Sequence, residues 1–237
     1  MENRANDYDI KINQYLHYET KGTPSLIYRE VANFFEKESF NSQSRVLDFG
    51  CGTGASTRFL KEIGFAPDGV DVFESMLVQA RKEDQEGDYR LIDNGKIPKP
   101  DCEYDLVFSA FVMCEMTSMH EMQKAFDEIY RVLKTGGYFI FLTCSEQFYK
   151  HEWEYATTDY PQNANPGSGD PVKVKLKRID LEITDYFWKD KDYKAASDKS
   201  GFSFDKKIYA LAEDENSDYA WVSERNHAPH VAYILKK

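Results

Sequence analysis

Residues 45–54 read Arg45-Val46-Leu47-Asp48-Phe49-Gly50-Cys51-Gly52-Thr53-Gly54, a short apolar run that breaks into three alternating glycines. The next segment, Ser56 to Ile63, has helical spacing and stops at Gly64, a residue type common just past a helix end. A strand, a glycine turn and a helix in that order make a ligand cradle. Glycine lets the backbone turn sharply and brings main-chain N–H groups close to a bound molecule. By itself the turn leaves the ligand open, because Gly50, Gly52 and Ala55 also satisfy the dinucleotide pattern G-x-G-x-x-[GA]. Two acids narrow the choice. Asp48, at the carboxyl end of the strand, would meet a pyrophosphate unfavourably but suits an ammonium group. Asp71 ends the following strand, where an acid can accept both hydroxyls of a ribose. Together they describe a ligand with an amino-acid end and a nucleoside end.

Outward from this turn, apolar runs predict strands at Gly69–Val72, Tyr89–Ile92, Tyr104–Ser109 and Tyr138–Thr143. Helical spacing predicts helices at Leu26–Phe35, Ser75–Arg81 and from Met122 to Leu133, the last ending at Gly136-Gly137. Strands alternating with helices imply a parallel sheet with right-handed crossovers. Beyond Ser145 the pattern changes to a long loop over His151–Asp170, a hairpin over Val172–Ile183 and a helix over Asp190–Lys199. Two strands, Phe202–Ala210 and Val231–Leu235, would close the sheet. The expected fold is α/β: a doubly wound, mostly parallel seven-stranded sheet with a substrate-side insertion before the last two strands. It is read as one domain over residues 1–237. An N-terminal arm and helix (1–40) would serve as a lid, 41–145 as the cofactor-binding half, 146–190 as the insertion, and 191–237 as the closing helix and strands.

Composition sets the outer limits. The chain has 237 residues, 30 Lys and Arg against 41 Asp and Glu, and a formal charge of −11. That balance argues against nucleic acid as the main partner, because phosphate binding draws on clustered basic residues. The alternation Lys173, Lys175, Lys177, Arg178 reads as the solvated face of a strand. Apolar residues at 41%, with 16 Phe and 16 Tyr, exclude a disordered chain. No apolar run approaches the roughly 20 residues of a transmembrane helix, and Met1 to Lys11 lacks the layout of a signal peptide. Cys51, Cys102, Cys114 and Cys144 are scattered, with no Cys-x-x-Cys pair and no His at ligand spacing, so neither a disulfide framework nor a metal site is expected. A reduced cytoplasmic compartment fits, without a membrane partner.

The ordered set of motifs resembles the class I S-adenosylmethionine-dependent methyltransferases over about residues 30–145. Beyond the glycine turn it comprises Gly69-Val70-Asp71 with Met76-Leu77, Leu91-Ile92-Asp93 followed by Ile97-Pro98, Tyr104-Asp105-Leu106-Val107-Phe108-Ser109, and Glu128-Ile129-Tyr130-Arg131-Val132-Leu133-Lys134-Thr135-Gly136-Gly137. The resemblance implies S-adenosylmethionine as cofactor. Gly50, Gly52 and Gly54 would line its methionine moiety, with Asp48 toward the ammonium. Asp71 would hold the ribose, Met76 would pack on the adenine, and Asp93 and Asn94 would meet the adenine amino group. Ser109, Ala110 and Phe111 would run beneath the sulfonium. Tyr15 or Tyr18 resembles the arm tyrosine that many small-molecule members place over the methionine carboxylate. After the fourth strand, this chain has Val112-Met113-Cys114-Glu115 where many relatives show His.

The implied activity is methyl transfer to a nitrogen or oxygen of a small molecule. His151 and Glu115 are the candidate proton acceptors, Glu115 having a second account as a helix-start carboxylate. His17 is a further proton-acceptor candidate, with Tyr155 and Tyr186 as orienting hydroxyls. Trp153, Tyr155, Tyr160, Phe187 and Trp188 either stack on a flat acceptor or form a small core of their own. The run Asp185-Tyr186-Phe187-Trp188 with Asp192-Tyr193 resembles bacterial small-molecule N-methyltransferases, including the toxoflavin-type group, which implies an aromatic heterocycle as acceptor. The rival readings are an NAD(P)-dependent oxidoreductase and a non-catalytic S-adenosylmethionine-binding protein. The oligomeric state is not legible in the sequence.

Overall fold

The protein is described by a computed structural model over residues 6, 8–38, 40–92, 95–213 and 218–237. In chain order, helix α1 (Tyr8–Tyr15) and helix α2 (Thr23–Lys37) precede strand β1 (Arg45–Phe49). Helix α3 (Ala55–Glu62), strand β2 (Ala66–Asp71), helix α4 (Glu74–Glu83) and strand β3 (Tyr89–Leu91) follow. Strand β4 (Tyr104–Ala110), helix α5 (Met119–Val132) and strand β5 (Leu133–Cys144) complete the first part. The second part holds β6 (Ala156–Thr157), β7 (Asp170–Leu176), β8 (Leu181–Phe187), α6 (Asp190–Ser200), β9 (Ser203–Tyr209) and β10 (His230–Lys236).

Seven strands form one sheet in the order β3-β2-β1-β4-β5-β10-β9. The pairs from β3 to β5 are parallel, and β10 runs antiparallel to both β5 and β9. The order reverses direction between β1 and β4, which leaves a crevice at the carboxyl ends of those strands.

Alternation along the central strands divides the core in two. Leu47, Val107, Phe139 and Phe141 face one side with Met122, Phe126 and Ile129 of α5. Val46, Leu106, Phe108, Ile140 and Leu142 face the other with Leu26, Val31, Phe34 and Phe35 of α2. Both faces are covered, which is why these strands read as near-continuous apolar runs.

The predicted end of the long helix shifts. Helix α5 starts at Met119, where the Ser118 side chain accepts the Glu121 N–H, and it stops at Val132. Gly136-Gly137 therefore lies inside β5, not past a helix end. Gly136 donates to the Lys237 carbonyl and Lys237 donates back to Gly137, both at 2.9 Å, so the chain end pairs with this stretch.

The insertion has a sheet and a core of its own. β6, β7 and β8 form an antiparallel three-stranded sheet. Within the segment read as a loop, Ala156–Thr157 pairs with Leu176 and Lys175. Two residues are too few to show an alternation, which is why β6 is silent in the sequence. Phe148, Tyr149, Trp153, Val172, Val174 and Leu181 pack together beneath it. On the outer face Lys173 pairs with Glu182 at 2.6 Å and Lys175 with Asp180 at 2.7 Å, while Arg178 meets Glu154 at 2.6 Å. These basic residues are thus matched by acids on the same surface. Among the described residues no helix is long and apolar enough to cross a membrane.

The arm lies along the free edge of β8. Asn6 donates to the Thr184 carbonyl and accepts the Thr184 N–H, both at 2.9 Å. Lys11 and Gln14 donate to the carbonyls of Glu182 and Asp180 at 2.9 Å. Alternate backbone groups that an edge strand would leave open are satisfied by side chains of the arm.

Candidate active site

The glycine turn sits in the crevice at the end of β1. Gly50, Gly52 and Gly54 have φ of +74°, +53° and +84°, a region that L side chains adopt only with strain. Gly50 also has no room to grow, since an added Cβ would lie 2.2 Å from Val112 Cγ2. The amides of Gly50 and Cys51 both donate to the Val70 carbonyl, at 2.8 and 3.0 Å, which folds the turn back over β2.

Asp48 is fully buried at the foot of this turn. Its Oδ2 accepts the Ser56 and Thr57 hydroxyls at 2.7 and 2.6 Å, whereas Oδ1 is buried without a partner. Burial pushes its carboxyl up to about 6, opposed by the two hydroxyls. A buried carboxylate oxygen left unpaired is costly, and a cationic partner relieves the cost. Asp71, the last residue of β2, accepts the Gly52 N–H at 2.8 Å through Oδ2, and the Val72 and Phe73 amides at 2.7 and 2.9 Å through Oδ1. The two acids thus stand at the ends of neighbouring strands, one aimed inward with an open lone pair and the other bracing the turn.

A cavity opens between turn and arm, lined by Tyr15, Tyr18 and Tyr28 on one side and by Gly50, Cys51, Gly52, Thr53 and Ser56 on the other, with Ala110 and Phe111. The rings of Tyr15 and Tyr18 stack at 5.3 Å, and Tyr15 lies 3.8 Å from where a Cβ of Gly52 would be. Both arm tyrosines therefore reach the turn. Ser109 is fully buried with an unpaired hydroxyl, and Phe111 holds a φ of +60° while donating its N–H to Leu142 at 2.8 Å. Backbone strain in a non-glycine residue at a cavity wall marks a place that the surrounding structure over-determines. Met76 is buried in the first turn of α4. Asp93 and Asn94 lie outside the described residues.

These features fit S-adenosylmethionine. The unpaired oxygen of Asp48 would suit an ammonium, Asp71 at the end of β2 could accept ribose hydroxyls, and the glycine turn leaves room between them. The same open anionic oxygen is a poor neighbour for a pyrophosphate.

Comparison with known proteins agrees. Residues 47–141 match the model of a family described as a methyltransferase domain. That segment carries a methyltransferase domain. Solved structures that share the fold include S-adenosylmethionine-dependent methyltransferases. Over 102 residues the chain is 34% identical to a malonyl-[acyl-carrier protein] O-methyltransferase of Enterobacter lignolyticus, covering 42% of this chain and 39% of that one. Over 95 residues it is 39% identical to a demethylmenaquinone methyltransferase of Tropheryma whipplei, covering 39% and 38%. The match thus spans about two fifths of these relatives' length. An S-adenosylmethionine-dependent methyltransferase from Mesorhizobium loti superposes with a TM-score of 0.64 at 18% identity, over 91% of this chain and all of that one, so the whole fold is shared.

Within the methyltransferase domain's surroundings, the candidate proton acceptors part company. Glu115 closes a 3-10 turn over Met113–Glu115 and accepts the Tyr8 hydroxyl of the arm. It does not start a helix, because α5 begins at Met119 under its own Ser118 cap. His151 stacks on His227 at 3.8 Å and meets Trp153 edge-on at 6.0 Å, and it is not among the residues that line the cavity. Burial and the facing His227 lower its basicity. His17 is exposed.

The aromatic residues of the insertion are mostly core. Trp153 is fully buried, stacks on Phe148 at 5.6 Å and donates to the Phe148 carbonyl at 2.8 Å. Trp188 is buried in the main core and donates to Met116 at 3.0 Å. Phe187 packs in the insertion's core, and Tyr160 turns outward to Glu182. Tyr155 is different: its buried hydroxyl meets His230 Nε2 at 3.1 Å.

Three residues that the sequence reading did not group together meet beside the cavity. Cys114, Cys144 and Asp185 bring their side-chain donor atoms within 4.8 Å of one another. Its hydrogen bond with Cys144, then burial, raises the Cys114 thiol, burial raises the Cys144 thiol, and Cys114 donates to the Phe111 carbonyl at 3.2 Å. The Asp185 Oδ2 accepts the Tyr149 hydroxyl at 3.0 Å, with Cys144 Sγ at 3.9 Å. Two thiols and a carboxylate this close could together hold a metal ion, a grouping that the scattered cysteines of the sequence did not lead one to expect. Tyr28, Thr53 and Ser56 also line the cavity without a sequence signal, since a hydroxyl in a helix or turn carries no pattern of its own.

Proposed function

We propose that the protein transfers a methyl group from S-adenosylmethionine to a nitrogen or oxygen of a small molecule in the cytoplasm and releases S-adenosylhomocysteine. The observation that carries this reading is the unpaired Oδ1 of buried Asp48, set one strand away from Asp71 at the glycine turn. When bound, the cofactor supplies a methyl carbon already activated on a sulfonium.

The chain's own residues then position and exclude. Asp48 holds the ammonium and Asp71 the ribose, while Gly50, Gly52 and Gly54 let the backbone lie against the methionine portion. Ser109 to Phe111 form the wall beneath the reacting centre. Tyr15 and Tyr18 cover the cavity from the arm and keep water out, and alignment under such a cover is worth several kcal/mol of barrier. The Tyr8–Glu115 hydrogen bond fastens that cover to the turn after β4.

Titration calorimetry of the full chain with S-adenosylhomocysteine tests the reading. Binding of one ligand per chain, lost in Asp48→Ala, is expected. An unaltered affinity in that variant would remove Asp48 from the site.

A further inference from the structure

Two thiols and one carboxylate meet where the insertion docks on the main sheet. Cys114 lies in the 3-10 turn after β4, Cys144 is the last residue of β5, and Asp185 belongs to β8. β4 and β5 are parallel neighbours, so the residues at their carboxyl ends stand side by side. The insertion lays β8 against that turn, and the three donor atoms come within 4.8 Å of one another.

The carboxylate is short of partners. Asp185 is 3% exposed, and among the described residues only Tyr149 and Cys144 hydrogen-bond its side chain, both at Oδ2. Oδ1 is buried with no partner. A carboxylate in a core is paired with a cation or fully hydrogen-bonded, because an orphaned charge costs more than it contributes. Among the described residues no Lys, Arg or His supplies that cation.

The donor set points to the kind of ion that would. Two sulfurs and one oxygen suit a borderline-soft divalent ion such as zinc, whereas magnesium and calcium take oxygen ligands. Donors around a tetrahedral zinc stand roughly 3.3–3.8 Å apart, from bonds of about 2.0–2.3 Å. The 3.9 Å between Cys144 Sγ and Asp185 Oδ2 is already close to that spacing. Tyr149, donating to Oδ2 at 3.0 Å, is the kind of partner that orients a ligating carboxylate and leaves its other oxygen to the ion.

We propose that Cys114, Cys144 and Asp185 hold a zinc ion that fastens the insertion to the carboxyl ends of β4 and β5. Both thiols bind as thiolates and their protons pass to solvent, so the dication offsets two of three negative charges. A water takes the fourth position. Cys114 gives up its hydrogen bond to the Phe111 carbonyl, while Phe111 stays anchored through its N–H on Leu142. A single ion needs no cavity of its own, and it enters as the chain folds. None of the three residues lines the cofactor cavity, so the proposal stands apart from the cofactor reading.

The test uses the full chain, purified under reducing conditions without chelator. Elemental analysis after gel filtration should find one zinc per chain. Cobalt(II) added to the metal-stripped chain should give an intense sulfur-to-cobalt charge-transfer band and the strong visible bands of a tetrahedral ion. Cys114→Ser, Cys144→Ser and Asp185→Asn should each weaken zinc binding by more than the roughly tenfold expected of Tyr149→Phe. Cys102→Ser, at an exposed cysteine, should leave it unaltered. Stripping should lower the unfolding midpoint, and zinc but not magnesium should restore it. The cobalt spectrum of the unmutated chain decides the matter even where a variant fails to fold. A chain that retains no zinc and takes up none, a cobalt complex without the sulfur band, full zinc affinity in both serine variants, or a Cys114–Cys144 disulfide that survives the reductant would each overturn it.

Discussion

Asn6 and Thr184 exchange two hydrogen bonds of 2.9 Å, the side-chain amide of the arm standing in for the next strand beside β8. Through Tyr8, Tyr15 and Tyr18 the same arm reaches Glu115 and the glycine turn. One short segment thus joins the insertion to the cofactor half. Deleting residues 1–20 should therefore leave the sheet folded but speed S-adenosylhomocysteine release by about tenfold, some 1.4 kcal/mol of lost cover. Stopped-flow displacement measures it, and an unchanged rate would deny the arm any gating role.

Asp71 braces three backbone amides, those of Gly52, Val72 and Phe73. Asp71→Ala leaves buried donors unmet, at about 1–3 kcal/mol each where water cannot replace the oxygen. It should lower both the unfolding midpoint and the cofactor affinity, the latter by at least about tenfold. Asp71→Asn keeps one acceptor and should recover more stability than affinity. Full cofactor affinity in the Ala variant would contradict the ribose assignment.

The raised Asp48 carboxyl has a definite sign. Its folded value of about 6 lies above the ordinary one near 3.8. Between those values the folded chain keeps a proton that the unfolded chain has lost, so this group's contribution to stability falls as pH rises across the window. Asp48→Asn should be more stable than wild type at pH 7, by an amount on the order of 1–3 kcal/mol. Its cofactor affinity should be lower, and it should lose the rise in affinity that wild type shows from pH 5 to 7. Urea unfolding and calorimetry at both pH values check the two halves separately.

Gly50→Ala meets two obstacles, a φ of +74° and the Val112 side chain 2.2 Å from the new Cβ. A cost of about 2–4 kcal/mol is expected, combining positive-φ strain with overpacking. Adding Val112→Ala should recover the packing share and leave the strain. Gly52→Ala, with 3.8 Å to Tyr15, should cost less in the free protein. Equal losses for Gly50→Ala with and without the Val112 change would mean that contact is not what crowds the site.

What was legible in the sequence is local. The β1 turn carries its glycines and both acids within one strand–turn–helix and the next strand end, so Asp48 and Asp71 could be read directly. The substrate side could not, because Cys114, Cys144 and Asp185 stand on three different elements and only the docking of the insertion brings them together. His151 drew notice by its place after β5, yet a single stacking partner, His227, decides where its ring lies. The aromatic run of the insertion was ambiguous for a related reason: Trp153 packs in the insertion's own core and Trp188 in the main core, a division that no local pattern reveals.

Thermal unfolding of the full chain with S-adenosylmethionine, S-adenosylhomocysteine, NAD and NADP tests the central claim most directly. At about 100 times its dissociation constant a specific ligand adds roughly 2.7 kcal/mol, a clear shift in midpoint. The two adenosyl-sulfur ligands alone should produce that shift, and it should shrink in Asp48→Ala. Stabilisation by a dinucleotide with none from either adenosyl-sulfur ligand would contradict the account of the site, whatever became of the fold.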